Sequence, residues 1–335
     1  MSDAVSPTFA DVEAAAVRLK GKVKHTPLLE SRLLNKWMGQ RILFKAECFQ
    51  TIGAFKVRGA TNFLTKLAER NALPQRIVAN SSGNHAQAVA YAASQMGIPC
   101  CIYSTATISP VKAAATEYYG AELSLYPTRP EADEAVQKAA LEPGTVWIPP
   151  FNHPDIIAGQ GTACLEALQD AGAVDAVFTP CGGGGLLSGT LITTNALQPD
   201  AKVIGAEPLN ANDAARSLQS GKIETLTSAP NTLADGAATP SVGPYTFPLL
   251  QQLDDFYEVD EVQIAYWTQW LQHLLKVHVE PTSAMSMAAV AAWALEAKPQ
   301  STALVILSGG NISQQSMMKL WEKDYLLQPP MLTET

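Results

Sequence analysis

The chain has 335 residues, 47% of them hydrophobic and only 16% charged, with 23 Lys/Arg against 31 Asp/Glu for a net charge of −8. At ~150 residues per domain this suggests about two domains with a sizeable core, and a charged fraction below the usual ~25% suits a tight enzyme with a subunit interface. An acidic balance without a Lys/Arg block argues against nucleic acid and anionic membrane as partners.

No apolar run approaches the ~18 residues of a membrane span, and the acidic start MSDAVSPTFADVEAAA lacks a secretory pattern. Five cysteines (Cys48, Cys100, Cys101, Cys164, Cys181) include no CxxC pair. That speaks against a disulfide framework or a thiolate zinc site and for a reduced, cytoplasmic protein.

Short β-branched runs end in Gly/Ser/Asn/Pro clusters, each opening an Ala-rich amphipathic stretch. In chain order the pattern predicts a strand at Arg41–Glu47 and a helix at Phe55–Arg70, then a strand at Arg76–Asn80 and a helix at Asn84–Met96. Cys100–Ser104 and Glu122–Tyr126 read as strands, each followed by a helix, at Pro110–Tyr119 and Glu131–Ala140. Beyond the Pro-rich crossing IPPFNHPD, helices are expected at Ile156–Asp170 and Leu186–Leu197, and strands at Val174–Thr179 and Lys202–Ala206. Helices at Val262–Val277 and Ser283–Ala297 and a last strand at Ala303–Leu307 complete the series, the Met285–Ala297 stretch being core or interface.

Such alternation predicts an α/β protein with doubly wound, mostly parallel sheets and a functional edge at the strand carboxyl ends. Residues 77–150 would form a small inserted α/β domain, and residues 1–76 with 151–325 a larger one. Ser228–Pro248 has no clear periodicity and reads as an active-site flap or a surface loop.

Three strand-to-helix junctions carry chemistry. Cys181-Gly182-Gly183-Gly184-Gly185-Leu186 places four glycines before a helix, at a considerable cost in backbone entropy. Their physical use is to bring N–H groups close to an anion at a helix start, although a tight turn against a crowded neighbour would use the same residues. The spacing fits neither the GxGxxG dinucleotide loop nor the GxxxxGK phosphate loop.

Asn80-Ser81-Ser82-Gly83-Asn84-His85 follows a strand with good helix caps, which could grip a carboxylate or simply cap the helix. Lys56, in GAFKVRGA, sits in a first helical turn, at the wrong end of the dipole for stability. That position lowers its pKa and suits a Schiff-base amine, unless the lysine is an ordinary solvated charge. Together the three supply a phosphate cup, a carboxylate cap and an imine-forming lysine, the parts that hold pyridoxal phosphate and an amino acid.

In this order the motifs GAFKVRGA (53–60), SSGNHAQ (81–87), IAGQGT (157–162), CGGGGLLSG (181–189), GAEPLNAND (205–213), VEPTSA (279–284) and LSGGN (307–311) make the chain resemble the fold-type II pyridoxal-phosphate enzymes. The resemblance is to the threonine/serine dehydratase and serine racemase group and runs from about Thr26 to Gln315. It implies a tryptophan-synthase-β-like fold of two doubly wound domains with the active site between them.

It further implies that Lys56 carries the cofactor and moves the substrate Cα proton, that Phe55 packs beside the ring, and that Asn84 bonds the cofactor 3′-oxygen. Gly182, Gly183, Gly184 and Gly185, with the Leu186 N–H, correspond to the phosphate cup. Ser308 corresponds to the hydroxyl at the pyridine nitrogen, which moderates the electron sink and favours expulsion of a β-leaving group. Ser82 corresponds to the racemase's second acid/base. Ser81, Ser82, Gly83, Asn84 and His85 correspond to the carboxylate loop, with Asn152 also near substrate.

Glu207, the Ala211 carbonyl and Asp213 correspond to Mg²⁺ or Ca²⁺ ligands. Six positions apart, these two carboxylates lie ~240° apart round a helix, so a loop must wrap the ion.

The expected activity is an ammonia-lyase giving 2-oxo acid and ammonia from L-threonine and/or L-serine, in a homodimer. A serine or other amino-acid racemase, a 3-hydroxyaspartate ammonia-lyase and a dehydratase of hydroxyectoine breakdown are the alternatives. Ala54 replaces the Ser usual before Phe-Lys, and Thr51-Ile52 replaces the Lys-Thr pair that contacts a nucleotide activator. The chain also leaves no room for an isoleucine-binding regulatory domain. His25, His153, His273 and His278 show no ligand spacing, and Cys181 reads as buried and inert.

Overall fold

A computed structural model describes residues 6–331. The reading of Met1–Val5 as part of a non-secretory start lies outside the described residues. The strands are β1 (Leu28–Glu30), β2 (Arg41–Ala46), β3 (Arg76–Asn80), β4 (Cys100–Thr105), β5 (Ala121–Tyr126), β6 (Thr145–Trp147), β7 (Ala176–Pro180), β8 (Lys202–Pro208), β9 (Asp255–Val259) and β10 (Thr302–Leu307).

They form a six-stranded sheet in the order β1-β2-β10-β7-β8-β9 and a four-stranded sheet in the order β5-β4-β3-β6. Only β1 runs antiparallel to its neighbour. The smaller sheet is drawn wholly from the segment between β2 and β7, which contribute to the larger one.

A parallel strand covered on both faces reads as a continuous apolar run, and β10, TALVIL, is such a strand at the centre of the larger sheet. Alternate side chains separate into two layers, because successive strand residues point to opposite faces. Ala303, Val305 and Leu307 join Phe44, Phe178, Trp267, Trp270 and Trp293 on one side. Leu304 and Ile306 join Leu43, Val177, Cys164 and Leu168 on the other.

The smaller sheet divides in the same way. Ile77, Ala79 and Ile102 face the Ala-rich Asn84–Ser94 helix and the apolar side of the Lys56–Glu69 helix, whereas Val78 and Cys101 face Ala132 and Val136. The Lys56–Glu69 helix therefore lies against both units. It also packs on the Pro154–Ala171 helix through Gly59 and Gly159, where a Cβ on Gly159 would come within 2.7 Å of the Gly59 Cα.

The main elements fall within a few residues of their predicted bounds. Ser283–Ala297 is the exception, resolving into a single helical turn at Pro281–Ala284 and a helix at Ser286–Glu296. Helices at Phe9–Leu19, Arg32–Met38, Asp213–Ser220 and Gln314–Leu320 and the strands β1, β6 and β9 were not anticipated. β1 and β6 are three-residue edge strands, too short to show a period. No helix among the described residues is long and apolar enough to cross a membrane.

Candidate active site at the strand carboxyl ends

Lys56 opens its helix from a segment stitched to the chain leaving β10. Phe55 N donates to Ser308 O (3.0 Å), Gly310 N donates to Gly53 O (2.9 Å), and Ala54 bridges Gly309. Gly53 holds φ +73°, and any side chain there would overlap Asn311.

Two residues on, Arg58 anchors the helix. Its guanidinium is fully buried and donates to Glu47 (2.7 and 2.8 Å) and to both oxygens of Glu166 (2.7 Å each). Lys56 Nζ donates to Pro150 O at 2.6 Å and lies 5.2 Å from the Phe55 ring centre. Burial lowers its pKa to about 8, against the pull of Glu280. The amine is thus far closer to its neutral, nucleophilic form than a surface lysine.

The loop after β3 brings Ser81, Ser82 and Gly83 to the start of the Asn84–Ser94 helix. Ser81 Oγ accepts from Gly83 N (3.2 Å). The Asn84 amide donates to both oxygens of Glu280 (3.2 Å each) and accepts from Asn311 Nδ2 (2.9 Å). His85 is buried with Nε2 donating to Ile148 O (2.9 Å). Burial, reinforced by the charge on Lys56, lowers its pKa to about 3, so the ring is neutral and held by the wall of the site.

Each glycine of the third junction is closed to a side chain. A Cβ would approach Ala237 at Gly182, overlap the Phe151 ring at Gly183, meet Thr246 at Gly184 (φ +87°) and press on Phe151 at Gly185. The crowding accounts for the glycines, and the same turn leads into a buried helix start. Gly184 is the N-cap of the thirteen-residue Gly185–Leu197 helix and provides no side-chain cap, so the amides there fit a phosphate group.

Three consecutive residues link these parts. Pro150 O holds Lys56, the Phe151 ring fills the space over Gly183, and Asn152 Oδ1 accepts from Tyr245 N at 2.9 Å. The aperiodic 228–248 segment lies against the cup, with Thr246 Oγ1 donating to Gly183 O (2.8 Å) and Gly236 N donating to Thr282 (3.0 Å). The segment is thus anchored against the glycine turn at Thr246 and against Thr282 at Gly236.

Ser308, directly after β10, is buried with Ser283 Oγ at 2.9 Å and Glu280 Oε1 at 3.5 Å. Glu280 is itself buried, which raises its pKa to about 7. Sequence reasoning quoted VEPTSA, LSGGN and the Pro-rich crossing without giving roles to Glu280, Ser283, Asn311, Pro150 or Phe151. Their signal was a position inside a motif, and their partners come from distant elements.

Glu207 ends β8 and Asp213 opens the Asp213–Ser220 helix, with Ala211 in the turn between them. Glu207 accepts from Ala215 N (2.6 Å) and Ala214 N (3.3 Å), while both Asp213 oxygens are buried without a hydrogen-bond partner. Burial raises the two pKa values, Glu207 to about 9 and Asp213 to about 7. Orphaned, buried carboxylate oxygens fit a hard cation, although no group of three or more His, Cys, Asp or Glu gathers as a metal site among the described residues. Cys181 is buried beside this pair, its thiol pushed up first by burial and then by the two carboxylates.

The fold and this constellation define a cofactor-dependent enzyme of amino-acid chemistry. Residues 19–309 match the family described as pyridoxal-phosphate dependent enzymes, and the chain belongs to that family. It is 40% identical over 313 residues to the L-threo-3-hydroxyaspartate ammonia-lyase of Saccharomyces cerevisiae, covering 93% of this chain and 95% of the relative. It is 39% identical to the serine racemase of Homo sapiens over 94% of each chain. The crystal structure of the T.th. threonine deaminase superposes with a TM-score of 0.86 at 40% identity, over 92% of this chain and 99% of that one. The fold is the tryptophan-synthase-β-like α/β fold of that family. The protein is thus a pyridoxal-phosphate-dependent enzyme whose relatives include ammonia-lyases and racemases.

Proposed function

We propose that the protein is an ammonia-lyase that removes the β-hydroxyl from L-threonine and/or L-serine and releases 2-oxo acid and ammonia. The observation that carries this reading is the half-buried Lys56 amine, its pKa lowered to about 8, in one site with Asn84, Ser308 and the uncapped helix start at Gly184. Pyridoxal phosphate, when bound, supplies the electron sink that makes a substrate Cα–H acidic.

Lys56 would hold the cofactor and take the Cα proton, and Phe55 would lie beside the ring. Gly182, Gly183, Gly184, Gly185 and the Leu186 N–H would receive its phosphate, Asn84 its ring oxygen and Ser308 its ring nitrogen. Ser81, Ser82, Gly83, Asn84 and His85 would hold the substrate carboxylate, with Asn152 at the edge of the site. Its carboxamide oxygen is already taken by Tyr245.

Glu207, Ala211 and Asp213 would hold Mg²⁺ or Ca²⁺ beside the cup, as a structural or activating ion. In this reading residues 77–150 act as a small domain against a larger one made of 1–76 and 151–325, in a cytoplasmic homodimer. The ammonia-lyase and racemase relatives support two further substrate readings: 3-hydroxyaspartate elimination, and racemisation with Ser82 as the acid/base opposite Lys56.

A panel of β-hydroxy amino acids, with 2-oxo acid and chiral composition recorded together, tests the choice. Oxo acid without D-enantiomer establishes a lyase and ranks its substrates. D-enantiomer ahead of oxo acid replaces this reading with the racemase.

A further inference from the structure

The Asn84 carboxamide is fixed from both sides. Its oxygen accepts from Asn311 Nδ2, which also donates to Ile52 O at 2.7 Å, and its nitrogen faces both oxygens of Glu280. Glu280 stands before the Pro281–Ala284 turn, buried, and reaches Ser308 as well as Asn84. Because Asn311 Nδ2 already occupies the Asn84 oxygen, the amide must turn its nitrogen to Glu280, whose two oxygens stand there as acceptors.

We infer that Glu280 is a positioning residue that acts through Asn84, holding the amide so that its remaining N–H is offered to an acceptor oxygen of the bound cofactor. The inference rests on the pyridoxal-phosphate reading above. A glutamine at 280 would bring a donor as well as an acceptor. Pairing that donor with Asn84 would require the amide to turn, and a turned amide would set its NH2 group against the NH2 group of Asn311. The arrangement also joins the helix start after β3 to Glu280 and to Ser308 and Asn311, which follow β10, so groups at the ends of the two sheets share one set of hydrogen bonds.

The test uses cofactor-free protein titrated with pyridoxal phosphate, following the visible absorbance band, for wild type, Glu280→Gln, Asn84→Ala and the double variant. Glu280→Gln is expected to weaken cofactor affinity about tenfold, the equivalent of one hydrogen bond. Asn84→Ala should cost at least as much, and the double variant no more than Asn84→Ala alone, as for residues acting through one contact. Losses that multiply in the double variant, or an unchanged affinity in Glu280→Gln, overturn the inference.

If Glu280→Gln does not fold, Asn311→Leu frees the same amide from its oxygen side. It must show the same lack of additivity with Asn84→Ala, and independent effects would overturn the inference equally. A wild type that forms no lysine-dependent band removes the functional reading, and this inference with it. A normal band combined with multiplying losses removes the inference alone.

Discussion

In the proposed reading Lys56 concentrates the chemistry at the residue scale. Lys56→Ala is expected to abolish turnover and the visible cofactor band, and persistence of either would move the role to another residue. With a pKa lowered to about 8, the amine of the cofactor-free protein should react with an aldehyde at a rate that rises through about pH 8. A midpoint near 10.5 would show an exposed lysine. The sign for stability is opposite to that of a salt-bridged lysine. Folding lowers this pKa, so the group's contribution to stability falls as pH drops from 10.5 towards 8 and is level below that. In the racemase reading Ser82 bears on stereochemistry: Ser82→Ala should reduce any racemisation at least tenfold more than elimination of an L-substrate, as measured by chiral analysis of both products. Equal losses would take Ser82 out of the proton transfer.

At the scale of elements, the junctions after β3 and β7 and the strand β10 were legible because their signals are local. Gly-rich and cap-rich turns and an unbroken apolar run each declare themselves within a few residues. Glu280 and Pro150 were not legible in this way. A buried carboxylate beside Asn84 and a carbonyl that receives the lysine owe their roles to chain segments 196 and 94 positions away. The glycine run allowed for a crowded neighbour but could not name it, because Phe151 reaches the turn across the fold. That crowding makes a sharp prediction. Gly183→Ala places a methyl into the Phe151 ring and should lower the melting temperature and cofactor affinity together, an overpacking cost of about 1–3 kcal/mol. Unchanged melting and cofactor binding would show that the ring moves aside freely.

At the scale of the whole molecule, the carboxyl end of β8 and the helix that follows carry the candidate cation-binding pair Glu207 and Asp213. Removing divalent ions with EDTA should lower the melting temperature and activity, and Mg²⁺ should restore both. Indifference in protein shown to be metal-free would leave Glu207 as a cap for the Asp213–Ser220 helix, whose first amides it already receives.

The Pro150–Phe151–Asn152 crossing has a thermodynamic meaning as well as a geometric one. One tripeptide touches the lysine, the glycine turn and the 228–248 loop. If a ligand at one of the three places moved the crossing, the other two would feel it, and by linkage the influence would run both ways. An anion that shifted the ring would also move the carbonyl that receives the amine, and with it the proton affinity that burial and Glu280 set for Lys56.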